Sequence, residues 1–368
     1  MPGRTLTSSE RDWLAVRAYL TEHRHDLAVD AARGYPPGAA VAGTPLLAAP
    51  AWRPPAPVPL RDIGLELTTP ARPDGAPPPA RLPRRADGTR YRRYSEAMAE
   101  LAAPRVFVNR ATYRLTEADL TSRPPRLAFT VGRYFDGIEG GEAAAHEYAA
   151  ARLGLPADGL RGRLGDPRDL RLRPANLAIS VLTLRLDAAA GRASFPLHWR
   201  DPARVGHAGG LYQVVPVGVF QPSGEAAPSA GPDFSLWRCM VREFAEELAG
   251  HPEDDGPVDY DSWPFARQLT AALDRGRVRV WCLGLGTDPL TYATDLLTAA
   301  VFDAGVFDAL FGAGLSGAGS RRNAEGEVMA AREFTADVID RTIARDPVQA
   351  AGAALLRLAW EHRDTLLG

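Results

Sequence analysis

Residues 235–250, SLWRCMVREFAEELAG, constrain this chain more than any other stretch. They read as one helix whose acids lie in the wrong place for a solvated face. At about 100° per residue from Leu236, the residues Leu236, Trp237, Met240, Val241, Phe244 and Leu248 fall between about 0° and 140°. Glu246 lies at about 280°, on the open side, whereas Glu243 at about 340° and Glu247 at about 20° sit at or inside the edge of the apolar stripe. Carboxylates at a core's edge are costly unless something positive meets them. Spaced i, i+3 and i+4, the three acids can converge on one point beside the helix. A hard divalent cation, magnesium or manganese, is the natural partner for such oxygens.

Within this helix, Arg242-Glu243-Phe244-Ala245-Glu246-Glu247 resembles the core of the Nudix box, R-E-(apolar)-x-E-E. The resemblance implies an α/β (α+β) fold with a mixed sheet between helices. It also implies metal-dependent hydrolysis of a nucleoside diphosphate linked to another group. Glu243, Glu246 and Glu247 would hold Mg2+ or Mn2+ and serve catalysis, and Arg242 would brace them. The strand before the box would line the site, which makes Gln221 a substrate neighbour. The family's upstream Gly and Glu are replaced by Pro228 and Phe234, and its closing Gly falls at Ala249, with Gly250 one residue late. These departures keep a second expectation beside the first: a Nudix-fold module that binds a nucleotide or other small ligand without cleaving it, as a regulator or partner-binding protein.

Composition narrows the remaining choices. A chain of 368 residues, 45% apolar and 24% charged, is long enough for one large or two modest globular domains. A formal charge of −2 provides no global basic field, so nucleic acid is not an expected partner. All 43 basic residues are arginine, which points to a GC-rich genome and excludes Schiff-base and P-loop lysine chemistry. Cys239 and Cys282 are too few for a zinc site and are expected to be buried thiols. No apolar run approaches a membrane span and no signal-peptide core opens the chain, so the expectation is a cytoplasmic protein with no membrane partner.

Four segments are expected. Residues 1–48 carry an amino-terminal helix, with Ser8 or Ser9 as cap and Trp13, Val16, Leu20 and Leu27 as its stripe, and Arg17 and Arg24 on the other side. Residues 49–93 read as a Pro- and Arg-rich linker, most mobile over 70–88. Residues 94–176 form an α/β extension packed on the core, and 177–368 a Nudix-like domain with carboxy-terminal helices that could pair in a homodimer. Inside the last segment, 177–186 and 194–200 suit a hairpin and 211–221 a long apolar strand. Residues 277–283 suit a strand, and 290–310 an apolar helix broken at Gly305. The glycine-rich loop 206–210 places His207 at the mouth of a ligand site. The loop 312–326 has the composition of a lid, with Arg321 and Arg322 able to meet substrate phosphates. His146-Glu147 lacks the second histidine of a zinc-protease motif, and Gly284-Leu285-Gly286 lacks the third glycine of a dinucleotide fingerprint.

Overall fold

The computed structural model describes residues 5–68, 82–104, 107–201, 209–224, 229–252, 256–312, 315, 320–323 and 326–368. In chain order the helices are α1 (Ser8–Glu22), α2 (Arg24–Ala32), α3 (Tyr94–Leu101), α4 (Tyr134–Gly137), α5 (Ala143–Arg152), α6 (Leu160–Leu164), α7 (Leu236–Glu243), α8 (Pro264–Asp274), α9 (Ala304–Phe311), α10 (Ala336–Arg345), α11 (Ala350–Glu361) and α12 (Arg363–Leu367). The strands are β1 (Val58–Pro59), β2 (Gly64–Leu67), β3 (Ala111–Asp119), β4 (Arg126–Arg133), β5 (Leu177–Asp187), β6 (Arg192–Phe195), β7 (His198–Arg200), β8 (Tyr212–Gln213), β9 (Val217–Val219), β10 (Val278–Thr287), β11 (Thr294–Asp303), β12 (Arg321–Arg322), β13 (Gly326–Val328) and β14 (Arg332–Glu333).

The main sheet runs β1-β10-β11-β5-β6-β14, with β9 also on β5. It is mixed, because β5 and β11 run parallel while β10–β11, β5–β6 and β5–β9 are antiparallel. Strand β11 is buried at every position from Thr294 to Phe302, so both of its faces are covered. Helix α11 packs along β10, β11 and β5, and α7, α8 and α9 pack on the same sheet. The result is a mixed α/β fold with its sheets flanked by helices. One continuous core joins these layers, with Phe244, Phe302, Phe307 and Phe311 at its centre. Among the described residues, no helix is long and apolar enough to cross a membrane.

Several expectations change here. The stretch 290–310 is not a helix: its first half is the central strand β11, and only α9 is helical. A continuous apolar run buried on both faces has no periodicity that separates strand from helix. The expected long strand 211–221 is two short ones, β8 and β9, which leave for different sheets on either side of Val215-Pro216. Proline lacks the N–H that a continuous strand would donate. Gly284-Leu285-Gly286 lies inside β10.

The 49–93 segment, which reads as a linker, carries β1 on the edge of the main sheet and β2 parallel to β4 in a separate sheet β2-β4-β3. Within its proline-rich part, 69–81 lie outside the described residues. At the amino terminus the cap is Thr7, which forms a reciprocal capping box with Glu10, and the helix divides at His23. Trp13, Val16, Leu20 and Leu27 are buried as their spacing predicts. Arg17 and Arg24 are buried too: both clasp Glu142, at 2.7 and 3.0 Å.

Candidate functional site

The box helix is built as its sequence demands up to Glu243. The Ser235 hydroxyl accepts from the Arg238 N–H at 3.3 Å and caps α7. From Phe244 to Ala249 the helix widens to an i→i+5 turn, and Gly250 closes it in the left-handed region at φ 78°. A wide turn of this kind holds one extra residue, which is the physical sense of Gly250 arriving one place later than the resemblance wants. It also turns the last two acids relative to a regular helix. Glu247 becomes buried, whereas Glu243 and Glu246 are half-buried.

All three glutamates line one cleft of about 680 Å3. Its box side is completed by Gly218 of β9, and its far side by Gly140, Gly141 and Glu142 of the turn before α5. Gly218 is required: a Cβ there would come within 2.0 Å of the Glu243 carboxylate, so the bare strand lets that side chain lie across it. Gly141 is pressed against the Thr291 carbonyl, which a Cβ would meet at 2.2 Å. The loop after β10 therefore fixes the opposite wall. In that loop the Asp288 carboxylate accepts from the N–H groups of Leu290 and Thr291 at 2.9 and 2.8 Å.

Glu247 has a partner at each carboxylate oxygen. Its Oε1 accepts the Val217 N–H at 3.0 Å, and its Oε2 faces His198 Nδ1 at 3.1 Å. The other ring nitrogen of His198 faces Asn323 Oδ1 at 3.2 Å, an oxygen that also accepts the Gly326 N–H at 2.9 Å. Arg242 does not brace the glutamates by hydrogen bonds. It donates to the Gln221 carbonyl at 2.6 Å, to Asp233 at 3.1 Å and to the Tyr260 hydroxyl, and so ties the strand before the box to the loops on either side. Phe234, where the family has a glutamate, packs among Tyr113, Phe129 and Phe220. Among the described residues, no three His, Cys, Asp or Glu side chains are grouped so that they could hold a metal ion. The three glutamates to which the resemblance assigns Mg2+ or Mn2+ are therefore not seen as such a group, and both Glu247 oxygens have protein partners.

The expected substrate residues divide. Gln221 and Arg322 line the cleft, and Arg322 lies 3.6 Å from Glu327. Arg321 instead donates to the carbonyls of Leu248 and Phe311, at the ends of the box helix and α9. His207 lies outside the described residues. The sequence reading missed His198, Gln213, Arg173 and Gln349, which come from four separate segments and reach the site only through the fold. Arg173 lines the cleft wall almost fully buried and bonds no carboxylate among the described residues. Its donors go to Pro167 O, Tyr292 O and the hydroxyls of Thr287 and Thr294. Burial pulls its pKa down to about 10. Cys239 and Cys282 are buried and free, and burial pushes both thiols up to about 12, so neither is a nucleophile.

No protein-family model matches the sequence, and no curated protein does. A solved structure of a NUDIX hydrolase from Alicyclobacillus acidocaldarius is similar over 50% of this chain and 90% of its own, at 17% identity and a TM-score of 0.30. That is a weak and partial structural match.

Proposed function

We propose that the cleft beneath the box helix binds a nucleotide-type small molecule without hydrolysing it. The observation that carries this reading is the engagement of Glu247, one oxygen on the Val217 N–H and the other on His198. Both oxygens of this carboxylate are held in place, and turning it toward a metal would leave His198 and the part-buried Val217 N–H without their acceptor. The cleft is within the usual volume of a small-molecule site. Arg200 and Arg322 on its walls suit an anionic group such as a diphosphate, and the buried charge of Arg173 adds to the positive field there. A hydrolase remains the second reading, favoured by Glu243 and Glu246 facing the same space.

Melting of the full chain with nucleoside diphosphates, in EDTA and in magnesium or manganese, separates the two. The expected result is a ligand-dependent rise of melting temperature that persists in EDTA, with no released phosphate or mononucleotide. A ligand at about 100 times its Kd adds about 2.7 kcal/mol of stability, enough to read. Metal-dependent turnover that disappears in Glu246→Gln and Glu247→Gln would overturn the proposal in favour of a hydrolase.

A further inference from the structure

One wall of the cleft holds two buried glutamines that nothing else in the fold explains. Gln213 is 3% exposed and Gln349 7%, both line the cleft, and the Oε1 of each has no hydrogen-bond partner among the described residues. The backbone sets them side by side. Tyr212 bridges Val348 in parallel register, the Tyr212 N–H donating to Pro347 O at 2.9 Å and the Gln349 N–H to Tyr212 O at 2.8 Å. One residue further along each strand come Gln213 and Gln349, on the same face. Across the other edge of β8, Gln213 is the register partner of His198, which holds Glu247. Gln349, Gln213 and His198 thus form a row that ends at the box.

Native folds seldom leave a buried carbonyl oxygen without a donor, and each exception calls for a water, an ion or a ligand that supplies one. Two adjacent exceptions on one cleft wall are unlike random packing error, since apolar residues of similar size would fill both places at less cost. We infer that Gln213 and Gln349 read a ligand's amino group, specifically the exocyclic amine of an adenine-type nucleobase. The two hydrogens of that group match two neighbouring carbonyl acceptors, and the amide of glutamine is the side chain whose geometry suits adenine. The terminal amide torsion of glutamine is broad, so a small rotation brings each oxygen to the base. The positive charge on the cleft walls then faces the phosphates. This inference rests on the proposed function and adds the specificity of the site.

The test is calorimetric titration of the full chain with ADP and with purine riboside 5′-diphosphate, which lacks only the amino group. Wild type should bind ADP at least about tenfold more tightly, the scale of a donor lost from a buried acceptor. Gln213→Met and Gln349→Met should each shrink that preference and melt no lower than wild type, because each removes an unsatisfied acceptor at nearly constant volume. Equal binding of the two probes by wild type would overturn the inference and leave the cleft a ligand site. So would a preference that survives both substitutions, or variants that melt lower while keeping it, which would mark the glutamines as structural. Absence of heat with either probe, together with no melting shift from GDP, CDP or UDP, would overturn the proposed function and this inference with it.

Discussion

At the scale of single residues, the environment of each ionisable group decides what it can do, and His146 shows this with a sign that can be checked. Its ring stacks on Trp13 at 5.1 Å, and the Tyr94 hydroxyl lies 3.2 Å from Nδ1, a contact that suits a neutral acceptor nitrogen. Burial, and then the nearby Arg17 charge, push its pKa down to about 3, against a partial lift from Glu142. In the unfolded chain the same ring takes up its proton near the ordinary imidazole value of 6.5. The unfolded state therefore binds more protons below that value, and stability drains as pH falls from 6.5 toward 3. The slope from this group approaches about 1.4 kcal/mol per pH unit. Urea melts of wild type and His146→Phe should show a stability difference that is constant above neutrality and shifts by about 2 kcal/mol in favour of the variant by about pH 5. A difference that stays flat across that range would show that His146 titrates normally in the folded protein.

Elements were legible in the sequence where their pattern was local. The box helix and the amino-terminal helix with its stripe of Trp13, Val16 and Leu20 follow from spacing that one segment carries by itself. Strand β11 did not, because a doubly buried strand and a buried helix share one apolar vocabulary. The site was legible only at the box. Glu247 was placed at the buried edge by the helical wheel, but its partner His198 lies on another strand and carries no local signal. The glycines hold a prediction at this scale. Gly141→Ala would drive a Cβ into the Thr291 carbonyl, a backbone atom that cannot swing away. It should cost about 1–3 kcal/mol in chemical denaturation and weaken ligand binding, since both residues line the cleft. Gly162→Ala, in α6 with nothing within 4 Å of the new Cβ, should instead be neutral or gain up to about 1 kcal/mol. Equal effects at the two positions would remove the argument that the helix and the loop are locked together at the cleft.

For the molecule as a whole, the telling contact is the one that joins the amino-terminal helices to the cleft. Glu142 is 2% exposed, lines the cleft, and receives Arg17 from α1 and Arg24 from α2. The sequence places both arginines on the side away from the apolar stripe and names no partner for them, because a helical stripe cannot reveal a carboxylate more than a hundred residues away. One buried anion between two buried cations makes the consequences of substitution unequal. Arg24→Met removes a charge and leaves a neutral Arg17–Glu142 pair, so its cost should be modest. Glu142→Gln removes the one counter-charge that the two arginines have among the described residues and leaves two guanidinium groups facing each other in a poorly solvated space. A broken buried pair of this kind costs about 3–5 kcal/mol. Chemical denaturation of the two variants should therefore rank Glu142→Gln well below Arg24→Met. Because Glu142 also forms cleft wall, nucleotide affinity should fall with it, while Arg24→Met leaves affinity near wild type. The reverse order of stability would mean that the helices are held by their apolar stripe alone, with the cluster a passenger. Loss of stability in Glu142→Gln without loss of affinity would separate the amino-terminal helices from the function of the cleft.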